Sequence, residues 1–138
     1  MKTTFEFLYY CLYRMFALIK RTGERDENLA AEFNSALLST HTIMLFFSLR
    51  YIFPKGYLAN FPYNIILNST MASVFVIWYF LCKKYFIKKK NYIRIINKYE
   101  EKYPDKKIEM ALIGIAYSLF TFLSFYITAV YLANGTFW

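Results

Sequence analysis

MALIGIAYSLFTFLSFYITAVYLA, residues Met110–Ala133, runs for twenty-four positions without Asp, Glu, Lys, Arg or His. At about 1.5 Å per residue, a helix of this length reaches ~36 Å, more than the ~30 Å hydrocarbon core of a bilayer. A soluble domain in a chain of 138 residues has no use for such a segment. The stretch predicts an all-α integral membrane protein, a single membrane domain over residues 1–138, and everything flanking it has to fit a bilayer.

Composition agrees. The chain is 58% hydrophobic and 22% aromatic, with fourteen Tyr and fifteen Phe, ample material for the aromatic belts that sit at membrane interfaces. There is room for three or four membrane helices and for no sizeable soluble domain beside them. Cys11 and Cys82 lie in separate apolar segments, without CxxC or metal-ligand spacing, and read as packing residues rather than a disulfide framework.

The net charge of +8 is concentrated in one place. Residues Lys83–Lys107 hold the cations Lys83, Lys84, Lys88, Lys89, Lys90, Arg94, Lys98, Lys102, Lys106 and Lys107 against the anions Glu100, Glu101 and Asp105, which accounts for +7. In a soluble protein this would point to nucleic acid. Between two apolar segments it fits the basic cytoplasmic loop of the positive-inside rule, and no nucleic-acid partner is expected. Each basic residue near an anionic leaflet contributes about 1 kcal/mol of attraction. Lys83, Lys84, Lys88, Lys89, Lys90, Arg94 and Lys98 are therefore the candidates for contact with lipid headgroups or a cytoplasmic protein partner.

The remaining elements follow from periodicity and breakers. Residues 5–21 form an amphipathic helix with Glu6, Tyr10, Tyr13, Arg14 and Ala17 on one side and Phe7, Leu8, Cys11, Leu12, Met15 and Phe16 around the rest. Arg14 at mid-bilayer costs roughly 2.5–3.5 kcal/mol on insertion scales, so the helix is expected to lie in the interface with its charges wet. The alternative is a fourth, short span whose charged side is covered by neighbours. No small-residue cleavage site follows it, so it is expected to stay in the mature chain. Residues 29–53 form a span that stops at Pro54, with Asp26 or Asn28 as its cap. Residues 63–82 form the next, twenty residues without a charge, closing on Trp78, Tyr79, Lys83 and Lys84. No breaker separates Cys82 from Tyr103, and Tyr85, Tyr92, Ile96, Tyr99 and Tyr103 recur at helical steps. The span is thus expected to continue as a cytoplasmic helical arm over residues 83–103, or to lie flat on the lipid with the stripe down. Pro104 ends it, and a last span covers residues 106–133, closed by Asn134-Gly135. The loop at Pro54–Pro62 carries Lys55 alone, so the basic arm is placed inside and the C-terminus outside.

Two sets of residues are candidates for function. The last span has a small-residue seam, Ala111, Gly114, Ser118, Thr121 and Thr128, at steps that let helix backbones approach closely, within one chain or between chains. The second helix carries two polar lines, one with Ser35, Ser39 and Thr42, the other with Asn34, His41 and Ser48. A lipid-facing helix does not accommodate both. Either a line faces a polar path when copies assemble, or the hydroxyls bond back to their own helix while Asn34 and His41 bridge neighbours. His41 is the single histidine of the chain; it has no acidic partner in its span and no nucleophile turn beside it.

No P-loop, GxSxG, HExxH or metal-ligand cluster occurs, and no span carries a mid-membrane carboxylate suited to proton relay. No catalytic, cofactor or metal residues are assigned. Three or four helices enclose no path alone, so any transport needs a homo-oligomer or partners.

The Tyr-rich opening Tyr9-Tyr10-Cys11-Leu12-Tyr13-Arg14 with Lys20-Arg21, the arm Tyr92-Ile93-Arg94-Ile95-Ile96-Asn97-Lys98-Tyr99-Glu100 and the clean final span resemble a loose group of small multi-helix bacterial inner-membrane proteins. Some of that group are membrane effectors of anti-phage defence systems. The resemblance implies a non-enzymatic protein that self-assembles into a pore or a membrane-perturbing complex. It carries over no site residue. The other expectation is an accessory or scaffold subunit that anchors a larger cytoplasmic partner through its basic arm.

Overall fold

The computed structural model describes residues 2–19, 26–50 and 63–133, and the side chains of residues 3–19, 26–45, 69–128 and 130. In chain order these form α1 (Lys2–Ile19), α2 (Asp26–Arg50), α3 (Tyr63–Cys82), a π-helical turn (Lys83–Lys88), α4 (Asn91–Lys102) and α5 (Lys107–Ala133). There is no strand among the described residues, and the all-α expectation holds. The expected turn at Pro54–Pro62 and the expected stop at Asn134-Gly135 lie outside the described residues.

The core is centred on the first helix. α1 packs against α5, α2 and α4, while α2 reaches from α1 and α5 on one side to α3 on the other. Tyr9, Tyr10, Cys11, Leu12 and Met15 form the centre of the core, joined by Ala30, Ala31 and Leu37 of α2, Cys82 at the end of α3, Phe86, Ile95 and Tyr99 from the segment after it, and Met110 of α5. Full burial of side chains of this size stabilises by about 1.5–3 kcal/mol each. Aromatic stacking fixes the arrangement: Tyr9 lies on Phe86 at 4.0 Å and Tyr10 on Tyr99 at 5.4 Å. The Tyr9 hydroxyl donates to the Glu27 carbonyl at 3.0 Å, so the buried phenol is satisfied.

This placement differs from the expected interfacial helix with wet charges. Glu6 and Tyr10 are buried and Arg14 is nearly so, because α4 covers the side of α1 that carries them. Neighbouring helices, rather than water, cover the charged side of α1.

The second difference is in the basic arm. Nothing in the sequence breaks the helix between Cys82 and Tyr103, yet the chain widens into a π-turn at Lys83–Lys88 and reverses at Lys89-Lys90. Lys90 takes the left-handed conformation at φ 52° and ψ 25°, which costs a non-glycine residue about 1–2 kcal/mol. The Asn91 side-chain amide secures the reversal by donating to the Tyr85 carbonyl at 2.8 Å. The turn is repaid in packing. A straight arm would leave its aromatic stripe in water, whereas the reversal buries Ile95 and Tyr99 and half-buries Tyr92, Ile96 and Tyr103.

α1 and α5 meet at Gly114. A Cβ built there would lie 2.7 Å from the Cys11 carbonyl oxygen, a backbone atom. Ala111, Ser118 and Thr121 are buried on the same face, and Thr128, further along, is half-buried.

The opposite faces are bare. On α3, Phe75, Val76, Ile77, Phe80 and Leu81 are exposed; on α5, Leu112, Leu119, Phe120, Leu123 and Tyr126 are. Among the described residues, two helices, Ser69–Lys88 and Lys107–Thr128, are long and apolar enough to cross a membrane. Only 11% and 28% of their apolar stretches are buried. Core helices of a soluble protein would be mostly covered.

Gly114→Ala should lower stability by about 1–3 kcal/mol, because the Cys11 backbone has to move. Ala116→Val, on the exposed face, should change it by less than ~0.5 kcal/mol. Denaturant unfolding of the two variants in detergent micelles measures the difference.

Candidate functional site: a buried carboxylate clasp beside a polar helix

α1 supplies Glu6, whose carboxylate is 5% exposed. A buried anion of this kind needs partners, and α4 together with the π-turn provides them. The Arg94 guanidinium donates to Glu6 Oε1 at 2.7 Å, the Tyr85 hydroxyl donates to the same oxygen at 3.0 Å, and Lys98 Nζ lies 3.4 Å from Oε2. Arg94 and Lys98 are one helical turn apart on α4, so one face of a single helix grips both oxygens.

A second grip lies further along α1. Arg14 pairs with Glu100 of α4 and donates through Nε to the Tyr10 hydroxyl at 3.1 Å. Its guanidinium sits near the Tyr10 and Tyr13 rings, at 5.5 and 5.6 Å from their centroids. A third contact closes the set: the Tyr99 hydroxyl donates to the Thr3 carbonyl at 3.0 Å. Burial pushes the Tyr9 and Tyr13 phenols up from their ordinary range, so both stay neutral. Burial likewise pushes the Cys11 thiol up to about 12, which removes it as a nucleophile.

Glu6 and Arg14 were not among the candidate site residues of the sequence. Their signal is present: two opposite charges eight residues apart on a largely apolar helix, with the complementary charges Arg94, Lys98 and Glu100 together on one later helix. Pairing them needs the reversal at Lys90, for which the sequence holds no breaker.

The polar lines of α2 are placed as follows. Ser35 donates to the Glu32 carbonyl at 2.6 Å, Ser39 to Ser35 at 2.7 Å, Thr40 to Ala36 at 2.9 Å and Thr42 to Leu38 at 2.9 Å. Each hydroxyl is spent on its own helix. Thr42 also accepts from the Trp78 indole at 2.9 Å, tying α2 to α3. His41 stacks on Tyr117 of α5 with ring planes 5° apart, and its Nδ1 lies 2.7 Å from the Leu37 carbonyl. A carbonyl only accepts, so Nδ1 carries a hydrogen, and Nε2 lies 3.4 Å from the Tyr117 hydroxyl. Asn34 is fully buried, and neither its amide nitrogen nor its oxygen has a partner among the described residues. The side chain of Ser48 lies outside the described residues.

On α5, Ser118 donates to the Gly114 carbonyl at 2.7 Å, Thr121 to Tyr117 at 2.9 Å and Thr128 to Ser124 at 2.8 Å, which lets these polar side chains sit against other helices without cost. Of the basic candidates, Lys83 binds the Tyr79 hydroxyl at 2.7 Å, while Lys84, Lys88, Lys89 and Lys90 are exposed. No group of three or more His, Cys, Asp or Glu is placed to hold a metal among the described residues.

Comparison with known protein families, curated proteins and solved structures finds no match to this chain.

Glu6→Ala should cost about 1–3 kcal/mol, since it strips a buried acceptor from three donors. Lys106→Ala breaks an exposed pair with Glu109 at 3.5 Å and should cost less than ~0.5 kcal/mol. Thermal unfolding in micelles, read by circular dichroism, ranks the two.

Proposed function

We propose that the chain is a non-enzymatic, multi-pass protein of the bacterial inner membrane, with its basic segment cytoplasmic and its C-terminus outside. In this reading α3 and α5 cross the bilayer and α2 is the third span, held away from lipid by its neighbours. The bare apolar faces of α3 and α5 support the membrane assignment, since lipid is the solvent that tolerates them. The structure described here is then a closed form. On activation, copies of the chain assemble into a pore or a membrane-perturbing complex, as the resemblance to anti-phage effectors implies.

The observation that carries the reading is Asn34. An amide buried without partners costs about 1–3 kcal/mol, and a merely structural helix gains nothing by keeping one. A helix that turns this line toward water or another subunit in an assembled state would satisfy it. The clasp on α1 supplies a device able to separate the two states.

A second reading, an accessory subunit that anchors a cytoplasmic protein, is favoured by one fact. The hydroxyls of Ser35, Ser39, Thr40 and Thr42 are already satisfied by their own helix, so nothing about them requires a polar path.

Purified protein in liposomes separates the two. The pore reading predicts release of trapped dye or ions. Asn34→Leu should stabilise the closed chain by about 1–3 kcal/mol and cut release several-fold. Sealed liposomes at high protein density, with Lys88, Lys89 and Lys90 substitutions abolishing capture of a cytoplasmic protein, would support the anchor instead.

A further inference from the structure

Arg94 and Lys98 have a divided allegiance. Both touch Glu6, which is 5% exposed, yet they are themselves 55% and 46% exposed. A guanidinium has five N–H donors and an ammonium three, and the Glu6 contacts use one Nη of Arg94 and one long contact of Lys98. Lys98 Nζ also lies 5.0 Å from the Tyr99 ring centroid, so both cations are shared between Glu6, their own helix and the surface. Lys102 continues the same face one turn on, and Lys88, Lys89 and Lys90 crowd the reversal at its start; all four are exposed. The balance around the clasp is two cations on one carboxylate, a local excess of positive charge.

The position of this face is set by topology. The segment joins the end of α3 to the start of α5, so if those helices cross a bilayer it lies at their shared end, at headgroup level. We propose that the α4 face bearing Arg94, Lys98 and Lys102 binds the phosphate of anionic lipid headgroups, and that this binding draws Arg94 and Lys98 off Glu6 and frees the first turns of α1. The proposal rests on the membrane reading above. Glu6 is buried on the covered side of α1 and cannot follow its partners outward. A headgroup phosphate and a docked α1 therefore compete for the same two cations, and each weakens the other by an equal factor. The Arg14–Glu100 pair and the close contact of Cys11 with Gly114 hold the rest of α1, so the first response is local opening around Glu6 rather than loss of the fold. The π-turn and the left-handed Lys90 give α4 a hinge at its base.

Hydrogen–deuterium exchange of the full wild-type chain in nanodiscs tests this without altering the protein. As phosphatidylglycerol replaces phosphatidylcholine from none to half of the lipid, amides of residues 3–10 should exchange about fivefold faster or more, while those of residues 111–121 stay protected. Glu6→Gln keeps the shape and removes the charge, so its exchange in this segment should no longer depend on the anionic fraction. Inorganic phosphate added to phosphatidylcholine discs should leave exchange unchanged. Insertion with exchange that ignores phosphatidylglycerol would overturn this proposal and leave the membrane reading standing. Equal opening by inorganic phosphate would overturn the lipid assignment. Failure to insert into discs of either lipid would overturn both.

Discussion

A carboxylate inside a helical core has to be paired, and Glu6 is such a carboxylate. Its partners lie about ninety residues away in sequence on α4, so the chain must bring that helix back onto α1. The π-turn at Lys83–Lys88, the left-handed backbone at Lys90 and the Asn91 side-chain bond are the means. Once α4 lies on α1, the stripe of Ile95 and Tyr99 has a surface to bury against, and the stacks of Tyr9 on Phe86 and Tyr10 on Tyr99 follow. The ion pairs specify the register, and each aromatic stack adds about 0.5–1.5 kcal/mol of contact energy.

That arrangement moves the polar material inward. Glu6, Arg14, Asn34, Ser39, Ser118 and Thr121 are covered, while Phe75, Phe80, Leu119, Phe120 and Tyr126 are not. A water-soluble protein of this size inverts that pattern. Close backbone contact at Gly114 fits the same logic, since helices in lipid associate by approach and polar contact rather than by hydrophobic gain.

The sequence made the helices legible because each is announced by local chemistry. The uncharged run at Met110–Ala133 and the lysines after Cys82 need no partner to be recognised. The seam of Ala111, Gly114, Ser118 and Thr121 could be read as a packing face, though not whether its partner belongs to the same chain; here Gly114 meets Cys11 of α1. The reversal at Lys90 was invisible. It is paid for by tertiary burial that no local propensity reports, and a lysine in a left-handed turn looks like any other lysine. The cover over the charges of α1 is hidden for a related reason. Water is one way to satisfy Glu6 and Arg14, and distant partners are another; periodicity alone does not choose between them. The hydroxyls of α2 fell on the self-bonded side of the two readings, whereas Asn34 did not.

The account turns on outward apolar faces meeting lipid while the polar side chains stay within the bundle. Spin labels placed singly at Phe120 and at Thr121 in phospholipid vesicles report on this directly. The label at Phe120 should collide freely with oxygen, which concentrates in the bilayer, and remain closed to a water-soluble nickel chelate; the label at Thr121 should be reached poorly by either. Ready access of the nickel chelate to position 120 would contradict the account.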